Sequence, residues 1–153
     1  MQNRLSSLID CFWHWIQLSP NQYAELSRKR DLEEFLFPQW NDLINETEKA
    51  ICTLPSEEAI DQILTVMAFD NECEDVLDYI VSNGTDAFIA QLLKIGVHYC
   101  QPHARWQCAE LIRQRCPENG RKYLYELAKD PDEYVRKRAI NAACSYPNMS
   151  KKA

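Results

Sequence analysis

Histidine and cysteine side chains are concentrated near the middle of the chain, where they could act as metal ligands or as a nucleophile and its base. His98, Cys100, His103 and Cys108 form the densest cluster. Their spacing matches no common zinc pattern, and no Cys-x-x-Cys pair occurs. With seven cysteines and three histidines in the chain, some proximity arises by chance, so the cluster does not predict a catalytic pair. We expect instead that the cysteines are small buried residues of a helical core.

Other catalytic motifs are also missing from the sequence. Gly84, Gly96 and Gly120 are isolated, so they do not predict a glycine-rich loop that would hold a phosphate. Neither a Gly-x-Ser-x-Gly motif nor a His-Glu-x-x-His motif occurs. The sequence therefore predicts a protein that is not an enzyme and that needs no metal and no cofactor.

Charge is distributed unevenly along the chain. Residues 1–84 carry five basic and sixteen acidic side chains, whereas residues 85–153 carry twelve basic and seven acidic ones. The formal total of −6 disfavours nucleic acid as the default partner. An acidic front half can instead attract a basic protein and accelerate its association.

The acidic side chains are most concentrated in the predicted helix 72–82. At 100° per residue, one set of side chains points inward: Cys73, Val76, Leu77 and Ile80. The predicted partner-binding row points outward, lies on the flank or precedes the helix: Asp70, Glu72, Glu74, Asp75, Asp78 and Tyr79. Acidic residues also favour a helix N-terminus, but that preference does not explain Asp78.

The basic half of the chain supports a second hypothesis, in which the protein binds nucleic acid. Its candidate phosphate contacts are Arg113, Arg115, Arg121, Lys122, Arg136, Lys137 and Arg138. Trp106 is a candidate for stacking on a base, and we include it among the partner-binding residues. Part of this basic set is instead expected to bridge neighbouring helices.

The elements that must position these residues are predicted to be helices. Leucine and alanine together number 28, whereas valine and threonine together number 9, a balance that favours helix. Ser19-Pro20 and Pro55-Ser56 resemble helix starts. Apolar residues at helical spacing predict an all-α chain with helices near 3–17, 20–35, 38–52, 56–69, 72–82, 85–96, 103–115, 118–129 and 132–145.

Aromatic residues crowd the first forty positions, and most are expected in a small helical core. Trp13 and Trp40 are the ones that we expect to be exposed. No apolar run approaches the ~20 residues of a membrane span. The first residues lack the features of a signal peptide, and an odd number of cysteines fits a reducing compartment, so we expect a cytoplasmic protein without a membrane partner.

An internal repeat is visible in the last seventy residues. Ile89-x-x-Leu92-Leu93-Lys94 matches Leu124-x-x-Leu127-Ala128-Lys129, and Ala104-Arg105-x-x-Cys108 matches Val135-Arg136-x-x-Ala139. Each unit is an apolar helix, a turn with proline, and a helix with a small residue three positions after an arginine. The small residue permits close contact between helices.

The segment Asp130-Pro131-Asp132-Glu133-Tyr134-Val135-Arg136 resembles the second-helix signature of HEAT repeats, and residues 101–111 resemble a more degenerate copy. The resemblance implies a short α-solenoid of antiparallel helix pairs that binds a macromolecule. It also implies that Asp130, Arg136 and Arg105 bridge neighbouring units. We therefore predict a single domain with a helical cap at 1–55, HEAT-like pairs at 56–145 and a flexible tail at 146–153.

A small acidic protein of this kind is similar to the bacterial immunity proteins that neutralise nuclease toxins. That resemblance implies a basic toxin domain as partner and an acidic surface as the binding site. The alternatives are a HEAT-like nucleic-acid-binding or DNA-repair protein, and a scaffold subunit of a larger enzyme.

Overall fold

The chain is all-α in the computed structural model of the protein, which describes residues 3–29 and 32–146. No strand occurs within these ranges. The α-helices are α1 Arg4–Ile16, α2 Pro20–Ser27, α3 Trp40–Ile51, α4 Glu57–Phe69, α5 Asp75–Asn83, α6 Asp86–Gly96, α7 Pro102–Arg115, α8 Gly120–Leu127 and α9 Glu133–Ser145, with a short 3₁₀ helix at Glu34–Leu36. None of these helices is both long and apolar enough to cross a membrane.

Polar caps start several helices where the sequence predicts them. Ser19 accepts a hydrogen bond from the backbone N–H of Gln22, whose side chain accepts one in return from the Ser19 backbone. Ser56 caps α4 by accepting a hydrogen bond from Ala59 N–H. Such caps satisfy backbone donors that the first turn of a helix leaves unpaired.

Two helices depart most from their predicted bounds. Helix α2 ends at Ser27 rather than near 35, and the chain then turns so that Glu34 and Phe37 are buried. Helix α5 begins at Asp75 rather than at residue 72, because Glu74 adopts a left-handed backbone with φ of 57°. Helical periodicity predicts neither change, because neither the burial of Glu34 and Phe37 nor the left-handed backbone of Glu74 leaves a periodic pattern in the sequence.

Helix α4 is the centre of the fold, and every residue from Gln62 to Phe69 is buried. It contacts α1, α3, α5, α6 and α7, while α7 in turn packs extensively against α9. Phe69 at the end of α4 stacks on Phe12 of α1, with ring centroids 3.7 Å apart. The buried apolar residues form one cluster from Leu5 to Ala142, so the N-terminal helices share a core with the later ones.

The C-terminal helix pairs place their small residues as the repeat predicts. Cys108 of α7 and Ala139 of α9 are both fully buried. Helices α6 to α9 follow one another with short connections, and their packing is consistent with a stack of helix pairs. Tyr146 follows α9 and donates a hydrogen bond to the carbonyl of Pro117 at 2.7 Å, while the rest of the predicted tail lies outside the described residues.

The exposed aromatic residues are not the ones that the sequence predicts. Trp13 and Trp40 are only partly exposed, and the Trp13 ring packs edge-on against Phe69 at 4.9 Å. The prediction for these two is wrong because both side chains pack against the hydrophobic core. Trp15 and Phe35 are exposed instead, at 39% and 45%.

Candidate functional site

The acidic row at the start of α5 is largely displayed to solvent. Glu72, Asp75 and Asp78 are exposed. None of the three forms an ion pair with another residue in 3–29 or 32–146. Val76, Leu77 and Ile80 on the opposite side of the helix are buried, as predicted.

Glu74 and Tyr79 of this row are partly buried rather than fully exposed. Burial raises the pKa of Glu74, while the positive charge of Arg138 acts in the opposite direction. The Tyr79 hydroxyl lies 3.0 Å from the Sγ of Cys52, at the end of α3. This contact raises the pKa of Tyr79, and it joins α5 to α3 at the edge of the acidic row.

Asp70 does not belong to the exposed row, and its predicted place there is wrong. Its side chain is 1% exposed, because it turns inward at the end of α4. One carboxylate oxygen accepts a hydrogen bond from the backbone N–H of Val76 at 2.8 Å, so Asp70 holds the first turn of α5. Burial raises the pKa of Asp70 to about 7.

Trp106 is also buried, at 3% exposure, so its predicted role in contacting a partner or a base is wrong. Its Nε1 donates a hydrogen bond to Nδ1 of His103 at 3.0 Å. The guanidinium of Arg138 covers one face of the ring, 4.5 Å from its centroid, and Tyr134 packs edge-on at 5.5 Å. These neighbours enclose the indole.

The basic side chains of α7 and α9 are mostly engaged within the protein. Arg113 and Arg138 both pair with Glu110. The remaining pairs and carbonyl contacts are Arg115 with Asp86, Lys137 with Glu133, and Arg136 with the carbonyls of Asp130 and Pro131. This pairing leaves less free positive charge on α7 and α9 than the sequence suggests.

The central histidines and cysteines lie in separate environments. Cys108 is fully buried, and burial raises the pKa of its thiol to about 12. His103 accepts from Trp106, whereas the Nε2 of His98 lies 3.3 Å from a carboxylate oxygen of Glu126. The expectation of buried cysteines is wrong for the other six, which are exposed: Cys11, Cys52, Cys73, Cys100, Cys116 and Cys144.

A cluster of potential metal ligands lies at the loop between α4 and α5 and is not predicted from the sequence. One ligand atom from each of Asp70, Cys73 and Asp75 lies within 4.8 Å of the other two. The spacing Asp-x-x-Cys-x-Asp directly after a buried helix is the signal that could have identified it. Cys73 was instead predicted to point inward from a longer helix, but it lies in the turn before α5 and is exposed.

A small cavity adjoins this loop. Its lining includes Asp70, Glu72 and Cys73 from the loop and Glu34 from the 3₁₀ helix, and its volume is about 10 Å³. Glu34 is 3% exposed and accepts a hydrogen bond from the Tyr23 hydroxyl at 2.5 Å. Burial raises the pKa of Glu34, and burial together with acidic neighbours raises that of Cys73.

These features give the protein an acidic surface and, beside it, a group of oxygen and sulfur atoms suited to a cation. We name the exposed row with its two partly buried members, Glu72, Glu74, Asp75, Asp78 and Tyr79, the α5 acidic surface. Comparisons of this chain with protein-family models, with curated proteins and with solved structures find no match.

Proposed function

We propose that this protein is a non-catalytic binding protein that engages a basic protein through the α5 acidic surface. The observation that carries the proposal is an asymmetry in charge pairing. Glu72, Asp75 and Asp78 are exposed without an ion-pair partner among the described residues, whereas most cations of α7 and α9 are paired internally.

An unpaired acidic row suits association with a basic partner for two physical reasons. Its field extends beyond the surface and attracts a protein of opposite charge, which raises the association rate. Cations on the partner can also pair with these carboxylates without first breaking an internal ion pair. Tyr79 adds a half-buried ring at the edge of the row, a residue type that is enriched in protein interfaces.

The narrower form of the proposal is an immunity protein that neutralises a nuclease-type toxin in the bacterial cytoplasm. This form rests on the resemblance of a small acidic helical protein to such inhibitors. Toxins that bind nucleic acid need a basic surface, and an acidic surface on the inhibitor would complement it. HEAT-like helix pairs would then present α5 to the toxin. This form also predicts that the partner is encoded next to this protein.

The test is binding to the basic protein encoded by an adjacent reading frame, measured as Kd and association rate at several salt concentrations. The double variant Asp75→Lys with Asp78→Lys should weaken binding at least tenfold, chiefly by slowing association. A matched control is Glu33→Lys with Glu118→Lys, which changes net charge equally at two exposed positions outside the α-helices. Equal binding by the double variant and the wild-type protein would refute the proposal.

Binding to nucleic acid, rather than to a basic protein, is the alternative outcome of this test. One basic surface of the protein is the candidate site for it. Arg121 and Lys122 of α8 and Lys129 just after it line a surface depression, together with Glu126 and the exposed ring of Tyr125. Tight binding to duplex DNA, with a steep loss of affinity as salt rises and a further loss in Lys122→Glu with Lys129→Glu, would replace the protein-binding proposal with this one.

A further inference from the structure

The loop between α4 and α5 brings three potential metal ligands together by its backbone geometry. Asp70 ends α4, residues 71–73 form a turn, and Glu74 takes the left-handed conformation before α5 begins at Asp75. This path folds the loop back so that an oxygen of Asp70, the Sγ of Cys73 and an oxygen of Asp75 lie within 4.8 Å of one another.

A second observation distinguishes this loop from an ordinary acidic turn. Asp70 is 1% exposed, and one of its carboxylate oxygens has no hydrogen-bond partner among the described residues. A buried carboxylate with an unpaired oxygen is costly unless a cation or a donor completes it. Asp70 also lines the cavity of about 10 Å³, which is close to the space that a single water molecule occupies.

We propose that Asp70, Cys73 and Asp75 bind one Zn²⁺ ion. One thiolate and two carboxylates supply three ligands, and a water would complete a tetrahedral site. In such a site neighbouring ligand atoms stand about 3.5 Å apart. Cys73 and Asp75 are exposed, so small rotations of these two side chains close the site around the buried Asp70.

The mixed ligand set decides which cation fits. Ca²⁺ takes six to eight oxygen ligands, and Mg²⁺ takes near-octahedral oxygen coordination, whereas sulfur ligands favour zinc among the common divalent ions. The site is therefore selective for Zn²⁺ over Mg²⁺ and Ca²⁺. Zinc binding does not require the proposed partner, because all three ligands come from this chain, Asp70 and Cys73 from the α4–α5 connection and Asp75 from the start of α5.

The experiment is calorimetric titration of the reduced full-length protein with Zn²⁺, Mg²⁺ or Ca²⁺, together with thermal unfolding in each ion. We expect one zinc site and a rise in Tm of about 5–10 °C at a free zinc concentration 100 times Kd. Mg²⁺ and Ca²⁺ should change neither signal. The absence of saturable zinc binding at millimolar concentration, or an equal response to all three ions, would overturn the proposal.

Variants separate this site from the other exposed thiols. Cys73→Ser and Asp75→Asn should each weaken zinc binding at least tenfold, while the matched controls Cys144→Ser and Asp78→Asn should not. Asp70→Asn keeps an oxygen that can accept from Val76 N–H, so this variant should fold and yet lose the zinc-dependent rise in Tm. If ligand and control variants bind zinc alike, the ion is held elsewhere and the proposal is wrong.

Cobalt gives an independent readout of the sulfur ligand. Co²⁺ bound in place of zinc should show thiolate-to-metal charge-transfer absorption in the near ultraviolet. That band should be absent in Cys73→Ser and present in Cys144→Ser. A band that persists in Cys73→Ser would show that another thiol is the ligand.

Discussion

Arg105 and Asp130 form a bidentate ion pair that joins helix α7 to the turn between α8 and α9. The Nε of Arg105 lies 2.8 Å from Oδ2 of Asp130, and its Nη2 lies 3.0 Å from Oδ1. Both side chains are less than one-tenth exposed. The resemblance to HEAT repeats implies that Asp130 and Arg105 bridge neighbouring units; the structure shows this pair, but whether the helices that it joins are HEAT-like units stays a prediction.

Removing one member of this pair should strongly destabilise the protein. Arg105→Ala leaves the carboxylate of Asp130 buried without its cation, and the loss of one partner of a buried pair costs about 3–5 kcal/mol. The free energy of unfolding in urea measures the effect. Lys137→Ala, which breaks the exposed Lys137–Glu133 pair, is the control and should cost about 0–1 kcal/mol. Similar losses in both variants would show that the buried pair is not a structural tie.

The sequence predicts correctly those residues whose role depends on their near neighbours along the chain. The caps at Ser19 and Ser56 and the inward side of α5 follow from spacing alone, and the structure confirms them. The sequence predicts that Trp106 contacts a partner or a base, but Arg138 and Tyr134, some thirty residues later, cover its ring. Local spacing does not predict these contacts.

The loop at the end of α4 shows a second limit, which concerns contacts between near neighbours in the sequence. Helical periodicity predicts a helix from residue 72 with Cys73 pointing inward, and Asp70, which precedes that helix, is predicted to join the displayed acids. The observed start of α5 depends on the left-handed backbone of Glu74 and on the Asp70 hydrogen bond to Val76. Neither the left-handed backbone nor this hydrogen bond leaves a periodic pattern in the sequence. A helical projection therefore does not predict the ligand cluster.

The close approach of α6 and α7 requires a residue without a side chain at position 96. A Cβ on Gly96 would lie 2.6 Å from Sγ of Cys108 and 3.0 Å from a methyl carbon of Leu64. Gly96→Ala should therefore destabilise the protein by about 1–3 kcal/mol through overpacking, measured by urea unfolding.

A double-mutant cycle tests the cause of that loss. Cys108→Ala removes the sulfur that the new methyl group would meet, so Gly96→Ala should cost less in the Cys108→Ala background than in the wild-type protein. Equal costs in both backgrounds would mean that the helices adjust by another route.

Glu34 should make the protein less stable as pH rises. Burial raises its pKa above the unfolded value, so its contribution is fully present below about pH 4.3 and is lost as pH rises through the folded pKa. Tyr23 of α2 and Glu72 of the α4–α5 loop face it, and Asp70 lines the same cavity.

The variant Glu34→Gln keeps an oxygen that can accept from the Tyr23 hydroxyl but does not titrate. We expect the free energy of unfolding of the wild-type protein, relative to this variant, to fall between acidic and neutral pH. Glu33→Gln, at the exposed neighbouring position, is the matched control and should show no such trend. A difference between wild type and Glu34→Gln that does not change with pH would contradict the prediction.

His103 should have the opposite effect, stabilising the fold at neutral pH. Burial lowers the pKa of His103, although the negative charge of Asp132 opposes the shift. Asp132 is itself paired with Arg28 at 3.2 Å, and Nδ1 of His103 accepts from Trp106, which Arg138 covers. The unfolded chain therefore binds more protons than the folded one just below pH 6.5, and stability should decrease as pH falls through that range.

The variant His103→Gln isolates this effect, because an amide oxygen can replace Nδ1 as the acceptor for Trp106 and does not titrate. The free energy of unfolding of the wild-type protein relative to His103→Gln should fall as pH is lowered from 7 toward 5. His98→Gln, at the exposed imidazole beside Glu126, is the control and should leave the His103-dependent loss in place. If wild type and His103→Gln lose stability in parallel, protonation of His103 does not contribute to the loss, and the prediction is wrong.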